Sequence, residues 1–207
     1  MTLNNNMYTV QNKLTSQHKI INLSKQCFGF WLYLMSDCIL FATLFAVYFI
    51  MKNNTAYGPS GQDIFQFTTV VFESIALLLS TITYTIAKIS IYRKKEIQSI
   101  LFLLFTLFFG LIFIIFECRE FYSLILKGYG PSRSGFLSAF FTIIVTHGFH
   151  IFCGIVWILI LLLQIIKFGI TRIIEIRISC LGLFWHFLDI VWICIFTFVY
   201  LIGLYNV

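Results

Sequence analysis

The chain has 207 residues, 60% of them hydrophobic and only 11% charged, with a mean hydropathy of +0.95. A soluble domain of this length needs far more polar surface to stay dispersed, so most of the chain must contact lipid or other apolar protein. The net charge of +6 does not point to nucleic acid, because the basic residues are not pooled on one segment but sit in short loops, where they set membrane orientation.

Residues 1–24 are rich in Asn, Gln, Ser and Lys and hold no continuous apolar core. A cleavable signal peptide would place an apolar region after a short basic start. The expectation is instead a polar cytoplasmic tail over 1–26, flexible or surface-lying, followed by a single transmembrane domain over 27–207.

Five apolar stretches follow, near 27–51, 67–91, 99–122, 136–166 and 179–204. Each is long enough for the roughly 20 residues that a helix needs to cross a bilayer. The fourth exceeds that length, so it tilts or extends beyond the membrane. The connectors are short: KNNTAYGPSGQDIFQ, RKKEIQ, KGYGPSRSG and KFGITRIIEIRI. The first and third carry Gly-Pro or Pro-Ser turn signals. No soluble domain fits between spans and no internal repeat is visible. Short loops favour antiparallel neighbours, so the predicted fold is all-α, a polytopic bundle of five transmembrane helices.

The tail and the second and fourth connectors, with their flanks, hold Lys13, Lys19, Lys25, Lys88, Arg93, Lys94, Lys95, Lys167, Arg172 and Arg177. The opposite side holds Lys52, Lys127 and Arg133, with Arg119 near a span end. This excess places the N-terminus in the cytoplasm, and five spans then place the C-terminus outside. The six cysteines, Cys27, Cys38, Cys118, Cys153, Cys180 and Cys194, form no CxxC pair and read as small buried core residues, neither a disulfide framework nor a zinc site. The 25 phenylalanines read as lipid-facing bulk, although a mutational bias in the coding DNA gives the same excess.

Polar groups inside the spans are the candidates for function. At about 1.5 Å per residue, Asp37 lies roughly 15 Å from the inner edge, and His147 and His150 lie about 17 and 21 Å below the outer edge. His186 and Asp189 start about 10 to 15 Å above the inner edge on the same scale. These groups form one tier near the midplane and inner half. Glu73, Glu117, Arg119 and Glu120 form a second, outer tier. On a helix, Trp185, Asp189 and Trp192 share a face at spacings of four and three, and His186 precedes Asp189 by three, so both polar groups can address one neighbour. Lipid penalises a charge at such depth by a few kcal/mol, so these groups must turn toward protein, trapped water or a lipid headgroup.

For each histidine the default use is an interhelical hydrogen bond. His147 and His150 lie three apart and cannot ligate one haem from opposite sides, and neither Cys153 nor Asp37 completes a metal-ligand spacing. The five buried carboxylates admit a proton-relay reading, since burial leaves such groups able to exchange protons. Against it, Pro59 and Pro131 lie in connectors and the spans lack the breaks common at transporter midplane sites, which favours structural or lipid-binding use. Ser138, Thr142, Thr146, His150 and Gly154 recur every four residues in the fourth span and form a small-residue seam for close packing, drifting about 40° per step. Trp31, Trp157, Trp185 and Trp192 need no more than an interface-belt or groove-lining role.

Three motifs add a family resemblance. FGFWLYLMSDCILFATLF (28–45), PSRSGFLSAFFTIIVTHGFHIFCG (131–154) and LFWHFLDIVWICIFTFVYL (183–201), in this order, resemble the third subunit of haem–copper respiratory oxidases. The H-G-x-H pattern at His147–His150 and W-H-F-x-D-x-V-W at Trp185–Trp192 are the most specific parts. Asp37 after Ser36, and Glu120, stand where that family carries acids. Cytochrome c oxidase versions usually have two further N-terminal spans, so a five-span chain is more similar to the quinol-oxidising branch, the cytochrome o ubiquinol oxidases. One departure is Gln66, where the relatives often carry Glu, with a Pro shortly after.

The resemblance implies an accessory subunit of a proton-pumping oxidoreductase complex in a bacterial inner membrane, with no catalytic residue, metal or cofactor of its own. Haems and copper are expected in the catalytic subunit I, with subunits II and IV and membrane phospholipid as further partners and no nucleic acid. It implies a lipid cleft, to which we assign Asp37, His150, His186 and Asp189, with Trp185 and Trp192 against acyl chains. The competing expectations are subunit III of a cytochrome c oxidase, an independent proton or solute transporter, and a haem-binding membrane enzyme in its own right.

Overall fold

A chain this apolar must satisfy its backbone hydrogen bonds within each span, and only helices do so segment by segment. The computed structural model describes residues 28–55 and 67–204. The expected tail over 1–26, Cys27, Pro59 and Gln66 lie outside the described residues. Every regular element described is helical, and five helices are long and apolar enough to cross a membrane. They are α1 (Phe28–Met51), α2 (Phe67–Tyr92), α3 (Glu96–Leu126), α4 (Gly135–Phe168) and α5 (Arg172–Ile195). A π-helical turn, Phe196–Leu201, and a short helical turn, Ile202–Leu204, continue α5.

The chain divides into two compact units, Met1–Asp37 and Cys38–Val207. In the first, the opening turns of α1 carry the Phe30–Tyr33 ring pair, with centroids 5.9 Å apart. In the second, consecutive helices pack on one another and α5 returns to α2, closing a ring of four antiparallel helices. The later turns of α1 lie along the α4–α5 seam. Phe41 packs against His150 and Phe187 there, and the Tyr48 hydroxyl donates to the Val199 carbonyl at 3.4 Å.

The connections explain where helices end. After α2, Lys94 takes a left-handed φ of 56°, and the Lys95 amide closes the turn on the Ser90 carbonyl at 3.0 Å. After α3, Gly128 has φ +76°, which a glycine adopts without steric cost. The Tyr129 amide then bonds the Leu124 carbonyl at 3.0 Å, satisfying one of the last free carbonyls of the helix. Ser134 starts α4, its hydroxyl accepting from the Leu137 amide at 3.2 Å.

Two expectations need correction. Most of the fourth connector is helix, because α5 begins at Arg172, where Arg172 and Glu175 pair at 2.9 Å on the first turn. Hydropathy finds the membrane-crossing part of a helix and misses polar turns that extend past it. Of the cysteines, Cys180 alone is buried among those described, while Cys38, Cys118 and Cys153 are exposed. In lipid a thiol is simply a small apolar group, and nothing drives it inward.

The small-residue stripe of α4 splits in the same way. Gly154 is buried, but Ser138 and Thr142 line an open groove of about 180 Å³ with Leu44, Val47 and Met51 of α1. A four-residue spacing drifts about 40° per step, so one end of the stripe leaves the interface that the other end occupies.

Candidate functional site

The face shared by Trp185, Asp189 and Trp192 is turned toward α2, and each side chain finds a hydroxyl there. The Trp185 indole N–H donates to Ser80 Oγ at 3.2 Å, and that of Trp192 to Ser74 Oγ at 3.0 Å. One residue beyond Ser80 on α2, the Thr81 hydroxyl donates to Asp189 Oδ2. The two helices run antiparallel, so the partners descend along α2 as the tryptophans ascend along α5. Buried indole N–H groups need such partners, which is why serines stand opposite.

Both tryptophans are 2% exposed. Trp185 sits at a close approach of the helices, because a Cβ at Gly154 would lie 2.8 Å from its Cζ3, and one at Gly110 would lie 3.5 Å from its Cη2. Trp192 stacks on His147, with centroids 5.5 Å apart and planes at 22°, and Phe113 meets it edge-on at 4.7 Å. These rings therefore join α3 and α4 to α5.

The histidines separate. His147 is fully buried, and neither ring nitrogen has a hydrogen-bond partner among the described residues. His150 is half-buried, its Nδ1 2.7 Å from the Thr146 carbonyl, with Phe41 and Phe184 beside it. His186 is exposed on α5; its Nδ1 lies 3.9 Å from Asp189 Oδ2, and its ring meets the Tyr84 edge. Asp37 is buried and belongs to the Met1–Asp37 unit. His186, Asp189 and Trp192 are thus brought to the α2–α5 side, whereas His150 faces Phe41.

Asp189 also borders a groove of about 200 Å³ between α2 and α5, with Leu77, Leu78, Trp192, Ile193 and Phe196. Its Oδ1 is buried without a hydrogen-bond partner among the described residues, so Thr81 carries most of its solvation. Thr81→Val is expected to destabilise the protein by about 1–3 kcal/mol, the cost of leaving a buried acceptor unmet. The double variant Thr81→Val/Asp189→Leu should recover most of that loss. Thermal unfolding in detergent would read both.

The outer tier gathers on α2, α3 and the turn after α5. Glu73 is fully buried, and Glu117 nearly so. The Glu117 carboxyl lies over Gly148, where a Cβ would stand 2.6 Å from Oε2. This contact brings the outer tier against the residue next to His147, so the two tiers meet between α3 and α4. The Tyr200 hydroxyl donates to Glu120 Oε2 at 3.2 Å. Eight α-helical residues would carry Tyr200 roughly 80° round from Trp192, but the wider π turn takes up about one residue and returns it to the same face. Their ring centroids are 6.3 Å apart. Arg119 is exposed and forms no ion pair among the described residues. Beside it is a cavity of about 260 Å³, lined by Thr69, Phe116, Arg119, Glu120, Ser123 and Lys127.

Among the described residues no group of three or more His, Cys, Asp or Glu side chains is placed to hold a metal ion. The arrangement is a helix bundle with polar pairs between helices.

The sequence matches the family described as cytochrome c oxidase subunit III over residues 6–204. The chain belongs to that family. It is 53% identical over 175 residues to the cytochrome bo(3) ubiquinol oxidase subunit 3 of Pseudomonas putida, covering 84% of each chain. It is 49% identical over 181 residues to the cytochrome bo(3) ubiquinol oxidase subunit 3 of Buchnera aphidicola subsp. Baizongia pistaciae, covering 87% of this chain and 93% of the relative. The quinol oxidase subunit 3 of Bacillus subtilis is 40% identical over 176 residues, covering 85% of this chain and 86% of that one.

In this subunit III chain, sequence reasoning missed the receivers: Ser74, Ser80 and Thr81 on α2, Gly148 on α4, and Tyr200 beyond α5. The hydroxyls of α2 had a visible signal, since Ser74 and Thr81 are seven residues apart and so share a helix face. Tyr200 had none, because its place depends on the π turn.

Proposed function

We propose that this chain is the accessory, non-catalytic third subunit of a proton-pumping terminal ubiquinol oxidase of aerobic respiration, packed beside a catalytic subunit that carries the haems and copper. The observation that carries this reading is an identity of about half to ubiquinol oxidase subunits 3 over more than four fifths of both chains. The relatives named above are quinol oxidase subunits, which favours the quinol branch over the cytochrome c branch. Subunits I, II and IV are the proposed partners. Residues 27–207 form the proposed membrane domain, in a bacterial inner membrane. The basic residues flanking the second and fourth connectors favour a cytoplasmic N-terminus and a periplasmic C-terminus.

Phospholipid contact is part of the same proposal, assigned to Asp37, His150, His186 and Asp189 with Trp185 and Trp192. Supporting it are the α2–α5 groove beside Asp189 and Trp192 and the exposure of His186 next to them. Trp185 contributes by holding the helix that carries the others.

Purification through a tag on this chain in mild detergent tests the reading. A haem-bearing complex that oxidises quinol is expected, and alanine at His186 and Asp189 should lower its bound phospholipid. A colourless, monodisperse chain would instead support an independent transporter. Haem bound to the isolated chain would make it a cytochrome, and unchanged lipid in the variants would remove the lipid assignment.

A further inference from the structure

Glu73, Glu117 and Glu120 have no role in the reading above, and their surroundings are unusual for carboxyl groups. Glu73 is fully buried, and neither carboxyl oxygen has a hydrogen-bond partner among the described residues. Glu117 faces it from α3 with Oε1 in the same condition. Glu117 interacts electrostatically with Glu73 and Glu120, and Glu73 with Glu120. No Lys or Arg forms an ion pair with any of the three among the described residues. Three ionised carboxylates so placed would each bear a desolvation cost and would repel one another. Protons must therefore be held there. A neutral carboxyl still has one donor and further acceptor capacity; the Tyr200 hydroxyl meets Glu120, and both Glu73 oxygens and Glu117 Oε1 are left without a hydrogen-bond partner among the described residues. Water has to supply the remaining partners.

Of the three acids, Glu120 lines a cavity large enough to hold such water. It measures about 260 Å³, far above the roughly 10–15 Å³ of probe volume that one water needs. Thr69 and Ser123 add hydroxyls to its wall, and the exposed cations Arg119 and Lys127 stand on it too. Two fixed positive charges discourage a metal cation and leave water as the species that enters.

We propose that Glu73, Glu117, Glu120 and Tyr200 form a hydrated proton-binding site, filled from the aqueous phase through the cavity at Arg119, Ser123 and Lys127. In each uptake event a hydronium in the aqueous phase gives up a proton that passes along hydrogen-bonded water in the cavity to a carboxylate oxygen of Glu120, leaving a water molecule outside and a carboxylic acid inside. Passage to Glu73 and Glu117 exchanges O–H bonds for hydrogen bonds along water and consumes nothing else. This goes beyond the accessory role and does not depend on which electron donor the complex uses.

Infrared spectroscopy of the complex purified through this chain tests the site. Wild type minus Glu73→Gln, and wild type minus Glu117→Gln, should each show a lost carboxylic-acid carbonyl band at neutral pH, shifted after transfer to deuterium oxide. Ser123→Trp fills the cavity and leaves every acid in place, and it should slow that shift by an order of magnitude. An unchanged carboxylic-acid band in both Gln variants would mean ionised groups and would overturn the proposal. So would equally fast exchange in Ser123→Trp, a comparison that stands even where the Gln variants fail to assemble. A normal subunit inventory in these samples separates either failure from a failure of the oxidase reading.

Discussion

Replacing Trp185 by alanine is expected to cost about 3–5 kcal/mol, the range for removing a large aromatic side chain from a packed interior. The ring lies at the meeting point of four helices. Its N–H is held by Ser80 of α2, its far edge lies against the small site at Gly110 of α3, and its six-membered ring covers Gly154 of α4. Truncation would leave a void that the surrounding helices cannot close without moving together, and it would leave Ser80 without its donor. Trp185→Phe keeps an aromatic filler and loses the hydrogen bond, so its cost should be nearer 1–2 kcal/mol. The unfolding midpoint of the purified complex, with subunit retention as a second readout, distinguishes the two. Equal losses for Ala and Phe would show that the hydrogen bond and not the packing matters.

Gly154→Ala is the complementary experiment, adding atoms to the same place. A methyl group there meets Trp185 Cζ3 at 2.8 Å and Phe184 Cε1 at 3.1 Å. Both neighbours are aromatic carbons, and the Trp185 ring is fixed on its other side by Ser80, so it cannot swing aside. Overpacking of this kind costs about 1–3 kcal/mol and more where the ring is trapped. The effect should depend on Trp185: in a Trp185→Phe background, Gly154→Ala should become close to neutral. Such coupling between touching residues is what a double-mutant cycle measures. Additive losses would place the strain elsewhere on α4.

Much of this was legible in the residues themselves. The number of spans, their approximate positions and the common face of Trp185, Asp189 and Trp192 follow from local rules. A continuous apolar run must be helical in lipid, and helical spacing alone puts those three side chains together.

The tertiary structure alone decided which helix receives that face, which cysteines look outward, and where Glu117 and Tyr200 rest. The reason is the solvent. In water, apolarity marks the inside of a protein, so a sequence announces its core. In a membrane the lipid is as apolar as the core, and the contrast that would separate inside from outside is missing. Partner choice then rests on close shape, on Gly110, Gly148 and Gly154 meeting large side chains, and on single hydrogen bonds between helices. Those matches join residues some 30 to over 100 positions apart, at distances in the chain over which no spacing rule operates.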